Sequence, residues 1–272
     1  MSLLVHAAMS RAKASPAPDR LRILFALALL APAFLLSGCV YLRLLKLKKQ
    51  LNDVPANFRV STAEGVDVRL VNPILKPGDI RWLGIHPASS AIAGDTETWQ
   101  ARWVKEAPPG SGETVVYDLE VAMRFDDGKL VRVSIPERYF AYISKDLFLN
   151  LLRSTGEAQV NKAAREAEVE NTAEKPGEAP PPPPGLELVR QMLGQPTSEA
   201  VDTAGNTTCH YRYTPQTGES GAKPIESTFV FDAATKLLLR LSIKLPTGKI
   251  HFNFPQPPAG NQNDADAAPA RK

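Results

Sequence analysis

Residues 120–135, EVAMRFDDGKLVRVSI, return in altered form as ESTFVFDAATKLLLRLSI at residues 226–243. Ahead of the first turn Leu119, Val121, Met123 and Phe125 keep a period of two, and Ile225, Ser227, Phe229 and Phe231 keep the same phase in the second stretch. Alternation of this kind puts one set of side chains on one face of a strand. The return strands carry Val131, Val133 and Ile135 in one case and Leu239, Leu241 and Ile243 in the other. The turns between them are Asp126-Asp127-Gly128 and Asp232-Ala233-Ala234-Thr235, residue types that supply turn conformations. Each stretch therefore predicts an antiparallel hairpin with one buried face, and Arg132 and Arg240 fall on the opposite face.

Outward from the hairpins the likeness continues. WLGIHPAS (82–89) and TETWQARW (96–103) precede the first, and MLGQPTS (192–198) and NTTCHYRY (206–213) precede the second. Gly84 matches Gly194, and Trp103 matches Tyr213, both at an offset of 110. A fixed order at a nearly fixed offset is the mark of an internal repeat. The expected fold is α+β, with two tandem small units of helix packed on antiparallel sheet, at residues 54–169 and 186–254. Leu186, Val189, Met192 and Leu193 predict the covering helix of the second unit, stopped by Gly194 and Pro196. In the first unit the main helix is expected over 137–154, ended by Gly156, with EAQVNKAAREAEVE (157–170) continuing as a more polar helix. A strand pair, FRVST and VDVRLV, precedes the first unit, and an extra strand, KIHFNF, closes the second. Trp99 and Trp103, with Tyr211 and Tyr213, are the candidate interaction face if any of them is exposed, and burial of all four would move that face elsewhere. Cys209 shares the phase of Tyr211 and Tyr213 and is expected to be a buried, inert thiol.

The remaining segments do not build a core. Residues 170–185, ENTAEKPGEAPPPPPG, end in five consecutive prolines and predict an extended, semi-rigid spacer. Residues 255–272 are polar and rich in Asn, Asp, Ala and Pro, and predict a disordered tail. At the other end, Arg11, Lys13, Arg20 and Arg22 precede an uncharged run from Ile23 to Gly38, shorter than the roughly 20 residues a membrane helix needs. That order is an export signal over 1–38, with either Met1 or Met9 as its start.

Leu36-Ser37-Gly38-Cys39 resembles the lipobox of bacterial lipoproteins. The resemblance implies cleavage before Cys39, lipidation of Cys39 and, with Val40 following, residence at the outer membrane facing the periplasm. Removal of residues 1–38 takes away 4 of 32 basic and 1 of 29 acidic residues, leaving 28 of each. A neutral chain lacks the basic balance of a general nucleic-acid binder. With Cys39 committed to lipid, Cys209 has no partner within the chain. Residues 39–53, in which Leu44, Leu47 and Leu51 recur among Arg43, Lys46, Lys48 and Lys49, predict a basic amphipathic tether at the lipid surface or a solvated stalk.

The second unit resembles the SmpA/OmlA/BamE family of outer-membrane lipoproteins. Gly185, Val189, Leu193-Gly194-x-Pro196, Asn206-Thr207, Tyr211, Tyr213 and the closing hairpin carry the likeness. The family's fold is helices on a three-stranded antiparallel sheet, and its best-known member is an accessory of the β-barrel assembly machinery. The helix here is about one turn shorter, and a polyproline run replaces a family helix. The tandem layout is similar to the β-lactamase-inhibitory proteins, which repeat such a unit to build one concave sheet.

Catalytic constellations are sparse. His6 leaves with the signal, and His86, His210 and His251 sit on separate segments without the spacing of a triad or a zinc site. No phosphate-binding glycine loop occurs. The expectation is a lipoprotein that is not an enzyme, with no cofactor and no metal, attached to the membrane through Cys39. It would act as an interaction or scaffold module with an envelope protein partner, the β-barrel assembly machinery among the candidates. The alternative is an inhibitor or ligand-binding protein using the tandem sheet surface. A third reading, an enzyme, requires His86, His210 and an acid to cluster.

Overall fold

The computed structural model describes residues 40–173 and 177–255. The signal segment, Cys39 and the tail past Pro255 lie outside the described residues. Residues 40–51 are helical (α1), followed by the single turn α2 (Val54–Asn57) and the strands β1 (Phe58–Ser61) and β2 (Val66–Leu70). Next come α3 (Pro77–Trp82), β3 (Ser89–Ala93), β4 (Thr96–Lys105), β5 (Asp118–Asp126) and β6 (Lys129–Ile135). A 3-10 turn, Glu137–Ala141, leads into α4 (Lys145–Glu157) and the strands β7 (Gln159–Asn161) and β8 (Glu166–Glu170). The chain then runs α5 (Leu186–Leu193), β9 (Ser198–Val201), β10 (Thr207–Pro215), β11 (Ile225–Phe231), β12 (Leu238–Leu245) and β13 (Gly248–Asn253).

These strands form one sheet of 13, in the order β1-β2-β6-β5-β4-β10-β11-β12-β13-β8-β7, with β3 on β4 and β9 on β10. The protein is therefore α+β with the sheet predominating. The predicted hairpins are β5–β6 and β11–β12, and each carries an irregularity at the same place, between Arg124 and Phe125 and between Val230 and Phe231. A bulge adds a residue to one strand and changes which side chain faces inward. Leu130 and Leu238 thus pair with Phe125 and Phe231 and are buried, while Val131 and Leu239, expected inward from simple alternation, are half-buried.

The spacer between the two blocks does not by itself require one sheet; the junction of β4 and β10 does. Lys105 pairs with Tyr213, Val104 with Thr214, and Trp103 with Pro215. At the offset of 110 Val104 faces its own counterpart Thr214, and the pair Lys105–Tyr213 maps onto the pair Pro215–Trp103, which is the register of a two-fold contact between like surfaces. Two loops reinforce it reciprocally. The loop after β4 brings Glu113 to Lys105 Nζ at 2.6 Å, and the same ammonium reaches Gln195 O at 2.7 Å. The loop after β10 brings Glu219 to Arg81, 2.9 Å, and to His86 Nδ1, 2.7 Å. The glycines beside these clasps, Gly84 at φ 88° and Gly194 at φ 73°, admit no Cβ: Pro246 blocks one position, and Tyr117 and Glu113 block the other.

The main core spans the junction of the two halves. Trp99, Trp103, Phe125, Tyr211, Tyr213 and Phe231 share a cluster with Ile80 of α3, Leu147 of α4 and Val189 of α5. A second cluster joins Leu51 of α1 to Phe58, Val66 and Val68. Burying a large apolar side chain contributes about 1.5–3 kcal/mol, so the covered face supplies most of the stability.

Three expectations are corrected. The polar helix over 157–170 is absent: β7 and β8 occupy that stretch, and β8 pairs in parallel with β13. Its Ala and Glu favour helix, but Val169 is fully buried while Glu166, Glu168 and Glu170 share the other face, and sheet pairing overrides the propensity. Gly156 does not stop α4; it lies in the last turn, where a Cβ would meet Leu51 and Asn52. The proline-rich stretch is not a free spacer. Asn171 Nδ2 donates to Pro181 O, Leu238 N donates to Pro184 O, and Gly185 bridges to Leu237, so its described residues strap along the fold.

Candidate functional site

The helices with buried apolar side chains all pack on one side of the sheet, and the four residues expected to form an interaction face lie on that covered side. Trp99, Trp103, Tyr211 and Tyr213 are 1%, 5%, 1% and 2% exposed. Burial moves the docking face elsewhere: the phase these aromatics share with Cys209 is the core phase. Trp99 lies 4.8 Å from the Phe125 ring, and the Arg81 guanidinium sits 4.4 Å from the Trp99 ring centroid. Tyr211 Oη donates to Gly194 O at 3.2 Å. Burial pushes the Tyr211 and Tyr213 hydroxyls far above the ordinary phenol value, so neither ionises in the fold.

Cys209 is fully buried, and burial, with the Glu199 charge adding to it, pushes its thiol up to about 11. A thiol in that state is not a nucleophile at neutral pH. Cys39, the expected lipid site, lies outside the described residues. The tether expected over 39–53 is largely docked from Arg43 onward: Leu44 and Leu47 pack on the main core, Gln50 and Leu51 are buried, and Arg43 Nε donates to Asp79 Oδ2 at 2.6 Å. Burial raises the Asp79 carboxyl, but hydrogen bonds from Arg43 and the Lys76 amide outweigh it and hold the group below the usual carboxylate value. The leucines are therefore committed to protein rather than lipid, while Lys46 and Lys49 stay exposed. No helix among the described residues is long and apolar enough to cross a membrane.

The histidines do not converge. His86 is clasped by Glu219, and His210 Nδ1 lies 3.0 Å from Thr228 Oγ1. His251 Nδ1 lies 2.7 Å from Ser242 Oγ, the nearest approach to a nucleophile–base pair. Glu168 stands opposite His251 on β8, but its carboxylate is taken by Arg240 at 2.8 Å and Asn253 at 3.0 Å and does not orient the imidazole. Among the described residues no group of three or more His, Cys, Asp or Glu is placed to hold a metal.

What remains is the face of the sheet that no described helix covers. Its side chains are Thr98, Gln100 and Arg102 on β4, then His210, Arg212 and Thr214 on β10, with Glu226 and Thr228 beyond. Cross-strand ion pairs lace it: Arg102 with Asp118, 2.8 Å, Arg212 with Glu106, 3.0 Å, and Lys244 with Glu226, 2.8 Å. Exposed pairs of this kind contribute little stability each. Between β3 and β6 the face dips into an open groove of about 510 Å³ lined by Ser89, Ser90, Thr98, Gln100 and Ser134, with Arg124 and Arg132 also lining it. On the covered side, a separate apolar cavity of about 200 Å³ lies among Leu147, Met192, Phe229 and Leu241. Comparison with protein-family models, curated proteins and solved structures found no match to this chain.

Proposed function

We propose that this chain is an outer-membrane lipoprotein, anchored through Cys39 and facing the periplasm, that acts without catalysis as a docking module for another envelope component. The observation that carries the reading is the asymmetry of the sheet: helices cover one face, and a wide polar face stays open. The lipobox-like Leu36-Ser37-Gly38-Cys39 supports the anchor, and several acyl chains together hold a protein stably at a membrane. Two tandem helix-on-sheet units fit the shared order of α3, β3, β4, β5, β6 and α5, β9, β10, β11, β12. The likeness of the second unit to the SmpA/OmlA/BamE family makes β-barrel assembly the first place to look for the partner.

The alternative, an inhibitor or ligand-binding protein, is favoured by the β4–β10 junction, because it joins the halves into one continuous surface. Both readings use the open face, and they differ in what is captured. Photo-crosslinking residues placed in intact cells at Thr98, Arg212 and Thr228, with Glu187 on the exposed side of α5 as control, separate them. Adducts to assembly components from the open-face positions, lost with Cys39→Ser, support the docking reading. Adducts to a soluble enzyme support the alternative. Adducts from Glu187 alone would sink both.

A further inference from the structure

One row on the open face departs from the pairing of opposite charges seen elsewhere. Arg59 stands opposite Arg69 in the β1–β2 pair, Arg69 opposite Arg132 in β2–β6, and Arg132 opposite Arg124 in β6–β5. Four guanidinium groups run in register across four adjacent strands, a span of roughly 14 Å at the usual strand spacing. Like charges directly opposite one another destabilise a sheet. Among the described residues two carboxylates touch the row: Asp67 accepts from Arg69 and Arg132, and Asp126 accepts from Arg124. Among the same residues Arg59 donates to the carbonyl oxygens of Pro55 and Phe58.

The charge excess is available to a ligand. Arg69, Arg124 and Arg132 side chains are 66%, 49% and 43% exposed. Arg69 and Arg132 make their hydrogen bonds through Nε, leaving their terminal NH₂ groups without a protein acceptor among the described residues. Burial raises the Asp67 carboxyl, but hydrogen bonds from Ser134 and Arg132 outweigh it, so its charge persists and positions the two arginines beside it.

The second half of the sheet supplies an internal control. Its matching row reads Thr208, Val230, Arg240, Asn253 and Glu170, in the same register. One arginine suffices there, so the architecture does not demand a basic row.

We propose that this arginine row and the groove beside it form a binding site for a phosphorylated sugar carrying two or more phosphates. Guanidinium forks match phosphate oxygens bidentately. The hydroxyls of Ser89, Ser90, Thr98 and Ser134 and the Gln100 amide line the groove, and such groups exchange hydrogen bonds with sugar hydroxyls. A volume of about 510 Å³ is that of a small-molecule site. The inference stands on the register and the groove and does not depend on the anchor or on the docking partner.

The test is calorimetric titration of the full-length protein in detergent. The probes are glucose 1,6-bisphosphate, inorganic phosphate, the soluble lipid dibutanoyl phosphatidylinositol 4-phosphate, and an eight-residue glutamate peptide. The expected result is saturable binding of glucose 1,6-bisphosphate or of the short lipid, at least tenfold tighter than inorganic phosphate. Preference for the lipid by tenfold or more assigns the ligand to a membrane headgroup, and the reverse assigns it to a soluble sugar phosphate. Arg124→Gln with Arg132→Gln weakens binding tenfold or more, whereas Arg240→Gln leaves it within twofold. The double variant keeps or raises its melting temperature; if it fails to fold, Arg59→Gln with Arg69→Gln, at the exposed end of the row, replaces it. Absence of binding, binding insensitive to both pairs, equal affinity for inorganic phosphate, or preference for the glutamate peptide each overturns the proposal.

Discussion

The two halves of the sheet bury the same positions on the covered face and carry different charge on the open one. Beneath the helices, Trp99, Trp103, Phe125 and Leu130 correspond in position to Cys209, Tyr213, Phe231 and Leu238, and all eight are buried. Both halves place a bulge before the inward phenylalanine and a glycine at positive φ after the covering helix. On the open face the same register carries arginines in one half and Val230, Asn253 and Glu170 in the other. The covered face is constrained by packing, where a lost methylene is felt, and the open face is constrained only by what it must meet. On the covered face Trp99 and Ala101 give way to Cys209 and Tyr211 while every position stays buried, whereas on the open face the exchange changes the charge presented to solvent.

The comparison breaks most visibly in the core. Phe125→Ala and Phe231→Ala, both fully buried, should each cost about 3–5 kcal/mol in urea unfolding followed by circular dichroism. One transition is expected for both variants, because the β4–β10 junction and the shared cluster couple the halves. Separate melting of the substituted half would show two independent units.

Charge removal should expose an asymmetry between the halves. Arg43→Met strips the guanidinium from Asp79, whose side chain is 1% exposed, and should cost about 3 kcal/mol. Arg190→Met affects Glu187 and Glu199, which are 76% and 35% exposed, and should cost less than about 1 kcal/mol. Equal losses in thermal or urea denaturation would mean that α1 is not held by a buried pair.

A smaller effect tests the clasp of Glu219. The Arg81 hydrogen bond first, and then His86, hold its carboxyl below the usual glutamate value. The unfolded chain then binds more protons as the pH falls below about 4.5, so the stability the clasp contributes is present above that pH and lost below it. Glu219→Gln should flatten this part of the acid dependence and lower stability at pH 7 by about 1 kcal/mol or less, since the pair is partly exposed. An unchanged acid limb would remove the clasp from the account.

The smallest expected signal is a silence. With its thiol pushed up to about 11 and no exposed surface, Cys209 should resist a thiol reagent at pH 8 until urea unfolds the sheet. Prompt labelling of the native protein would place β10 at an open edge instead of beneath the helices.

The sequence by itself determined the elements whose signals are local. Alternation in LEVAMRF and IESTFVF, the aspartate turns and the Leu-Gly stop of α5 specify strands, hairpins and a helix end through neighbours a few residues apart. It also showed that two stretches share one order, and it placed Cys209 in the core. It misread residues 157–170, because Ala and Glu favour helix while the parallel partner β13 is contributed by residues about 80 positions later. It put the aromatics on the phase of Cys209, but whether side chains so large are wholly covered was decided by how α3, α4 and α5 pack on them, which strand alternation does not specify. Only the tertiary structure decided that β4 meets β10, since edge pairing is a choice among distant strands with no local mark. Likewise, Arg59, Arg69, Arg124 and Arg132 are scattered charges in the chain, and they become a row only when the register of β1, β2, β6 and β5 sets them side by side.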